Sequence, residues 1–499
     1  FGAAHHMTQL NRRAFLKSTS GLVALAALDL ANLHCDVHRQ KPAISRAPKG
    51  PNEQLNVAVI GLGGRSSAHI PKFGPNNNCR ITHVCDPDTA LAQTAIDRAR
   101  AANGDRVPDA RYVRDLRHIF DDRNVDLVTI ATCNHWHSLA AIWAMQAGKD
   151  VYVEKPLSHN LSEGRRVVQV AERTGRICQH GSQMRSNPGI TEAMAFLHEG
   201  HLGNVMVSRG LCYKPRPSIG KVSGPQPIPP TVDYNLWCGP APMAPLMRMK
   251  FHYDWHWNWQ TGNGDIGNQG IHEIDLARWA LNTSAMPRSV LSIGGRFGYD
   301  DDGQTPNTQI AAYDFGPAQP RLIMEVRGLK TSCFDSNGVE NVVACERGFL
   351  VFPSYTSAIA YDLDSNIIRV FDGGEDALHF NNFVDAVRSR RPQDLHGPVL
   401  EGHRSCALLH MANISHRLGT ATPLASRGDD LFNDPDANRA MQRMRQHLVD
   451  NQVPLTDKNF VIGRRLSYDD ATEMFHNDAE ANRMLTRDYR ASFIVPASV

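Results

Sequence analysis

The run Leu55-Asn56-Val57-Ala58-Val59-Ile60 leads directly into Gly61-Leu62-Gly63-Gly64-Arg65-Ser66. A short β-branched run without polar alternation is what a strand buried on both faces requires, and the glycines mark a turn into a helix. Gly61 suits the tight turn, and Gly63 lets a pyrophosphate approach the backbone at a helix N-terminus. Ser66 holds the third place of the G-x-G-x-x-G pattern and is small enough for helix and strand to pack closely. Gly64 and Arg65 complete the loop. Alone this is a weak signal, because glycine-rich turns are common.

The flanking sequence strengthens it. A second strand, Arg80–Cys85, ends in Asp86, 25 residues after Gly61. An acid at that tip accepts hydrogen bonds from both ribose hydroxyls and repels a 2′-phosphate, which favours NAD over NADP. The plain alternative is a strand-end turn at Asp86-Pro87-Asp88. A helix over about Ala90–Ala102, a strand at Val125–Thr132, a helix at Ser138–Ala147 and a strand at Asp150–Val153 continue the alternation. Such alternation predicts an α/β, doubly wound, right-handed parallel sheet of Rossmann type over residues 55–180. Chemistry belongs at the carboxyl ends of its strands. There the chain reads Cys133-Asn134-His135-Trp136-His137 and Glu154-Lys155-Pro156-Leu157.

At these residues the chain resembles the Gfo/Idh/MocA oxidoreductases. The resemblance rests on the Gly61–Ser66 turn, the Asn134–His137 loop, Gly148-Lys149-Asp150-Val151 and Glu154-Lys155-Pro156, and runs from residue 55 to about 420. It implies cofactor contacts from Gly61, Gly63, Gly64, Arg65, Ser66, Asp86, Asn134, His137, Glu154 and Lys155. It also implies that Lys155 contacts both the nicotinamide ribose and the reacting hydroxyl, where an ammonium stabilises a developing alkoxide.

Beyond residue 181 the pattern changes to longer, alternating strands such as Asn204–Cys212, Arg288–Phe297, Gln309–Phe315 and Arg321–Leu329. Alternation predicts an α+β domain over 181–420 whose large, mainly antiparallel sheet has one covered and one open face. The open face points to a homo-oligomer. Phe380–Arg388 and Glu401–Leu418 read as helices, with Gly419 as a stop. The extension 421–499, helical between Asp434 and Asp450, reads as a wrap over a neighbouring surface and resembles the extension of exported family members.

The densest chemistry lies between Phe251 and Asp275. Trp255, Trp257 and Trp259 alternate with His256 and Asn258; on a strand the three indoles share one face. That row suits a sugar ring, with Trp259 as a substrate contact, or serves as buried core or a subunit contact. Four glycines between Gly262 and Gly270 delay a helix until about Gln269 and place His272 near its start. By resemblance His272 is the family histidine, and the family aspartate four residues before it is Asn268 here. Asn268 orients a substrate but takes no proton; Asp265 is a candidate substitute. His272 reads as a general base in substrate contact, or as a structural histidine. Arg185 reads as a substrate-orienting group or an interdomain salt bridge.

Composition narrows the function classes. Lys plus Arg number 53 against 51 Asp plus Glu, a net charge of +2, which gives no reason to expect nucleic acid. No run of 18 apolar residues occurs, so no membrane span is expected. The ten cysteines form no C-x-x-C and the 23 histidines no H-E-x-x-H, so no metal site is expected. Residues 1–54 read as a tag (Phe1–His6), a twin-arginine export signal around Arg12-Arg13 and a linker, which predicts a periplasmic protein. Three functions are compatible with this reading. The first is an NAD-dependent oxidoreductase acting on a CH–OH group of a sugar, glycoside or cyclitol. The second is a redox-neutral glycosidase that uses tightly bound NAD transiently. The third is a non-catalytic sugar-binding module on the same fold.

Overall fold

The structure, a computed structural model, describes residues 53–104, 108–331, 333, 338–423, 428, 430–456 and 459–498. The expected export signal and nearly all of the linker lie outside the described residues.

The first sheet has six parallel strands: β1 (Leu55–Ile60), β2 (Cys79–Cys85), β3 (Arg111–Val113), β4 (Leu127–Ile130), β5 (Asp150–Val153) and β6 (Cys178–His180). Their order is β3-β2-β1-β4-β5-β6. Every residue of β4 and β5 is buried, as helices on both faces demand. Helices α1 (Ala92–Asn103), α2 (Asn134–Gln146) and α3 (Leu161–Thr174) are the crossovers. Two local expectations need correction. The glycine turn opens only a four-residue helical turn, Ser66–His69, because Pro71 sits in the next turn without an N–H to donate. Helix α2 begins at Asn134, before the expected Ser138, with Cys133 as its extended cap residue.

The second sheet contains β7 (Val205–Cys212), β8 (Ser289–Gly295), β9 (Thr308–Asp314), β10 (Arg321–Arg327), β11 (Val339–Cys345), β12 (Gly348–Phe352), β13 (Ser357–Asp362), β14 (Ile367–Asp372), β15 (Thr420–Pro423), β16 (Asn459–Ile462) and β17 (Leu466–Asp469). Its order is β14-β13-β12-β11-β7-β10-β9-β8-β16-β15, with β17 also on β8. Pairing is antiparallel throughout except between β7 and β10.

The longer helices of the rest of the chain are α4 (Pro188–His198), α5 (Ile271–Ala280), α6 (Asp376–Ser389), α7 (Val399–Arg417) and α8 (Pro435–Asp450). Ile274 and Ala277 of α5 and Leu408 and Met411 of α7 pack on the inner face beside Tyr313, Leu322 and Met324. Helix α6 returns to the first sheet, where Phe380 stacks on Tyr152 with ring centroids 4.6 Å apart. The Rossmann layer is therefore completed from outside residues 55–180.

The sheet's outer face is only partly open. Met441, Met444 and Leu448 of α8 bury Val207, Ile293, Ile310 and Ile323, and Arg209 pairs with Asp436 at 2.5 Å. The expected open face survives over β11–β14, where Val370 is 57% and Ile368 50% exposed. Past α8 the tail lies back on its own chain. Tyr489 donates its hydroxyl to Glu163 Oε1 at 3.1 Å, and Phe493 meets Trp136 edge to face at 5.5 Å. Among the described residues no helix is long and apolar enough to cross a membrane.

Candidate active site

The carboxyl ends of β1, β2, β4 and β5 form one crevice. Gly61 has φ +88°, and a Cβ there would stand 2.6 Å from the backbone of Ala131 and Thr132; only glycine fits. A Cβ on Gly63 or Gly64 would instead project into open space. The Ser66 hydroxyl donates to Gly63 O at 2.7 Å and holds the turn. This bare, fixed backbone is a cradle that fits a dinucleotide pyrophosphate. At the tip of β2 the Asp86 carboxylate accepts from Leu62 N at 2.8 Å and Asp88 N at 2.9 Å. Burial pushes its pKa up. Each oxygen keeps a lone pair, so ribose hydroxyls remain possible donors.

At β5, Glu154 Oε1 accepts from Arg65 Nε at 2.7 Å and Gln183 Nε2 at 3.2 Å, and meets His69 Nε2 at 2.9 Å. Although burial opposes it, the Arg65 charge holds Glu154 well below the usual carboxylate range. Arg65 is thereby committed to Glu154, with Asp376 at 3.4 Å. His137 lies between Pro156 O at 2.6 Å and Thr132 O at 3.0 Å, bracing the β5 loop against the β4 loop. Asn134 donates to Asn263 Oδ1 at 3.1 Å, joining the two domains at the start of α2.

Lys155 reaches across the domain boundary, its Nζ donating to Asn268 O at 2.5 Å. Burial lowers its pKa from 10.5, against the pull of Glu154. His272 opens α5; its ring lies 5.1 Å from the Tyr355 ring and has no hydrogen-bond partner among the described residues. Burial first, and then the Lys155 charge, holds it well below its ordinary 6.5. A neutral, unengaged imidazole next to an ammonium is a base beside an oxygen-stabilising group.

The remaining predicted residues divide. Asp265 is buried and forked by Arg216 at 2.9 and 2.8 Å, and Asn268 Nδ2 approaches it at 3.5 Å. Arg185 forms a salt bridge, but within the second domain and not between domains: the guanidinium chelates Asp275 at 2.7 and 2.9 Å and lies over Trp279 at 5.0 Å. The tryptophan row is corrected. Asp254–Trp257 is a 3-10 turn, not a strand, so the three indoles share no face. Trp255 joins a cluster with Trp237 and Phe251, while Trp257 is buried under Arg296 at 4.6 Å. Trp259 is half-buried, with Arg417 over its ring at 5.1 Å. The helix expected from Gln269 is preceded by a helical turn at Gly264–Asn268.

Sequence reasoning missed a group beside His272. Gln269 donates Nε2 to Tyr355 Oη and, at 3.4 Å, to Glu273 Oε1, while Lys214 Nζ donates to Gln269 Oε1 at 3.1 Å. Glu273 Oε2 is buried without a partner among the described residues, and burial pushes this carboxyl up to about 8. The available signal was adjacency to His272 alone.

Residues 55–182 match the profile described as oxidoreductase family, NAD-binding Rossmann fold, and residues 204–451 match that family's C-terminal alpha/beta domain. A glycosyl hydrolase family 109 protein of Shewanella sp. (strain W3-18-1) is 30% identical over 183 residues, covering 34% of this chain and 39% of that protein. A second, from Shewanella sp. (strain MR-4), is 31% identical over the same length and coverage. The chain thus spans about two fifths of the length of these curated relatives. Two solved structures share the fold, each covering 72% of this chain and 97% of its own. They are the WlbA dehydrogenase of Bordetella pertussis with NADH and UDP-GlcNAcA (19% identity, TM-score 0.52) and levoglucosan dehydrogenase with NADH and levoglucosan (18%, 0.53). With both domain profiles matched in order and the glycine turn, Glu154-Lys155-Pro156 and His272 in one crevice, the chain belongs to the Gfo/Idh/MocA oxidoreductase family.

Proposed function

We propose that the protein is an NAD-dependent oxidoreductase acting on a CH–OH group of a sugar, glycoside or cyclitol. The carrying observation is Lys155 Nζ anchored on Asn268 O near the buried His272 ring, where burial disfavours a proton on the imidazole. Bound NAD supplies the hydride acceptor. A ring nitrogen of His272 takes the hydroxyl proton, and Lys155 Nζ donates to the oxygen as its negative charge grows. Asn268 fixes Lys155 through its carbonyl, a task its side-chain identity does not affect.

The glycosyl hydrolase family 109 relatives favour a second reading, a redox-neutral glycosidase in which the hydride returns to the same molecule. A panel of sugars and glycosides separates the two. Reduced-cofactor absorbance accumulates in step with product for a dehydrogenase; product without lasting absorbance supports the glycosidase. Neither signal with any member of the panel refutes both.

Two further proposals concern the setting. Arg12-Arg13 and the apolar stretch after them support export by the twin-arginine route to the periplasm; fusion to a reporter and cell fractionation test it. The apolar strip over β11–β14 supports a homo-oligomer built on that part of the sheet.

A further inference from the structure

The glycine turn of β1 lies between the tips of β2 and β4, and a segment of the second domain, Thr231–His252, is fastened to both tips. At the β2 tip, Thr89 N donates to Thr231 O at 3.1 Å and Asp233 N donates to Pro87 O at 3.0 Å. Asp88 and Val232 form an antiparallel bridge, and His252 Nε2 meets Asp88 Oδ2 at 2.9 Å. Near the β4 tip, His135 Nε2 lies 2.9 Å from Trp237 O, and Trp136 Nε1 donates to Leu236 O at 3.0 Å. A Cβ on Gly239 would stand 2.2 Å from the Trp136 indole, so the contact admits nothing larger than glycine. The segment has its own core of Trp237, Cys238, Leu246 and Phe251, against which Cys133 packs. It is a stiff span with two anchorages.

A charge inside the span points to a ligand. Arg248 is 7% exposed and lies over Trp237 at 5.4 Å and Phe251 at 5.6 Å. Its hydrogen-bond acceptors are the carbonyls of Lys250 and Phe251, and no carboxylate among the described residues pairs with it. Burial disfavours its charge, and Asp254 attracts it only from beyond ion-pair distance; the pyrophosphate of a dinucleotide is the anion this crevice is shaped to hold.

We propose that Thr231–His252 is a strap closed over the adenosine half of the bound dinucleotide, and that its opening sets how long the cofactor stays. The inference rests on NAD occupying the crevice. None of these residues belongs to the Rossmann fingerprint, so retention is a property added by the second domain. Exchange then requires the Asp88–Val232 bridge and the His252 contact to part before the dinucleotide leaves.

The test is a reversible lock. Residues opposite one another in an antiparallel bridge have Cα atoms roughly 4.5–5.5 Å apart, within reach of a disulfide. The double variant Asp88→Cys/Val232→Cys, loaded with NADH, is chased with excess NAD while nicotinamide fluorescence is followed by stopped flow. The oxidised protein, its crosslink verified by thiol titration, is expected to release NADH at least tenfold more slowly than the same protein after reduction. His252→Ala, a half-exposed position where folding is safe, is expected to release it several-fold faster than wild type. Equal release from the oxidised and reduced forms, with NADH binding intact, overturns the strap. Wild-type protein that binds no NADH overturns the strap and the cofactor reading together.

Discussion

Lys155 and His272 come from different domains and meet because the Lys155 side chain ends on the Asn268 carbonyl. Substituting either by alanine should lower turnover by ~10²–10⁴ without unfolding the protein; rates within threefold of wild type would remove the assignment. The pH profile carries a second check. His272 sits well below 6.5, so the base remains deprotonated as pH falls through the ordinary histidine range. The acid limb of kcat/KM should therefore lie below pH 6.5, and a limb at or above 6.5 contradicts it. Asp86→Ala should weaken NAD binding and narrow the preference over NADP, measured as the two dissociation constants; an unchanged ratio refutes the role given to its charge. Glu273 affects stability. Its folded pKa of about 8 exceeds the ordinary 4.5, so the unfolded chain releases a proton that the folded one retains. Stability falls as pH rises between those values. Glu273→Gln should flatten the decline in Tm between pH 5 and 8, and an identical slope would place the proton elsewhere. The place of Lys155 at the end of β5, facing the second domain, was legible from its own tripeptide. Glu273 was not, because its properties come from β7 and the Tyr355 loop packed around it rather than from its neighbours in sequence.

At the scale of elements, local pattern served where a single requirement dominates. Buried parallel strands need short, mainly apolar, β-branched runs, and β1, β4 and β5 are such runs, interrupted only by Asn56, Thr129 and Asp150. The reading failed where partners far along the chain decide. The alternating tryptophans satisfy a strand pattern, yet each indole finds a different partner, and Tyr253, at φ +69°, turns the chain just before the 3-10 turn that follows. The outer face of the sheet is a similar case. Alternation in β7–β10 leaves an apolar face to be covered but does not say by what, and the cover is α8, started by Asp434 accepting from the N–H groups of Asp436 and Ala437. Met441→Asp should therefore place an unpaired charge between α8 and the sheet and destabilise the protein by several kcal/mol, on the order of 3–5. Thermal melting and dye binding to exposed apolar surface measure this, and a Tm within 2 °C of wild type, a roughly sub-kcal/mol change, would contradict it.

For the whole molecule, α8 leaves the strip over β11–β14 as the surface available to a second copy. Ile368→Asp/Val370→Asp should convert the proposed oligomer to monomer by light scattering, with the melting temperature of the isolated chain little changed; an unchanged mass would place any interface elsewhere. Export in a folded state, if Arg12-Arg13 direct it, carries the same demand as the strap: protein purified without added cofactor should contain near-stoichiometric NAD. The return of the tail onto α2 and α3 has its own consequence, one of timing. Tyr489 follows its partner Glu163 by 326 residues. At a ribosomal rate of about 5–20 residues per second the first Rossmann helices wait roughly 15–65 s for their brace. During that interval Trp136 stands without Phe493 and Glu163 without Tyr489, so α2 and α3 gain their last packing partners only when the tail has emerged.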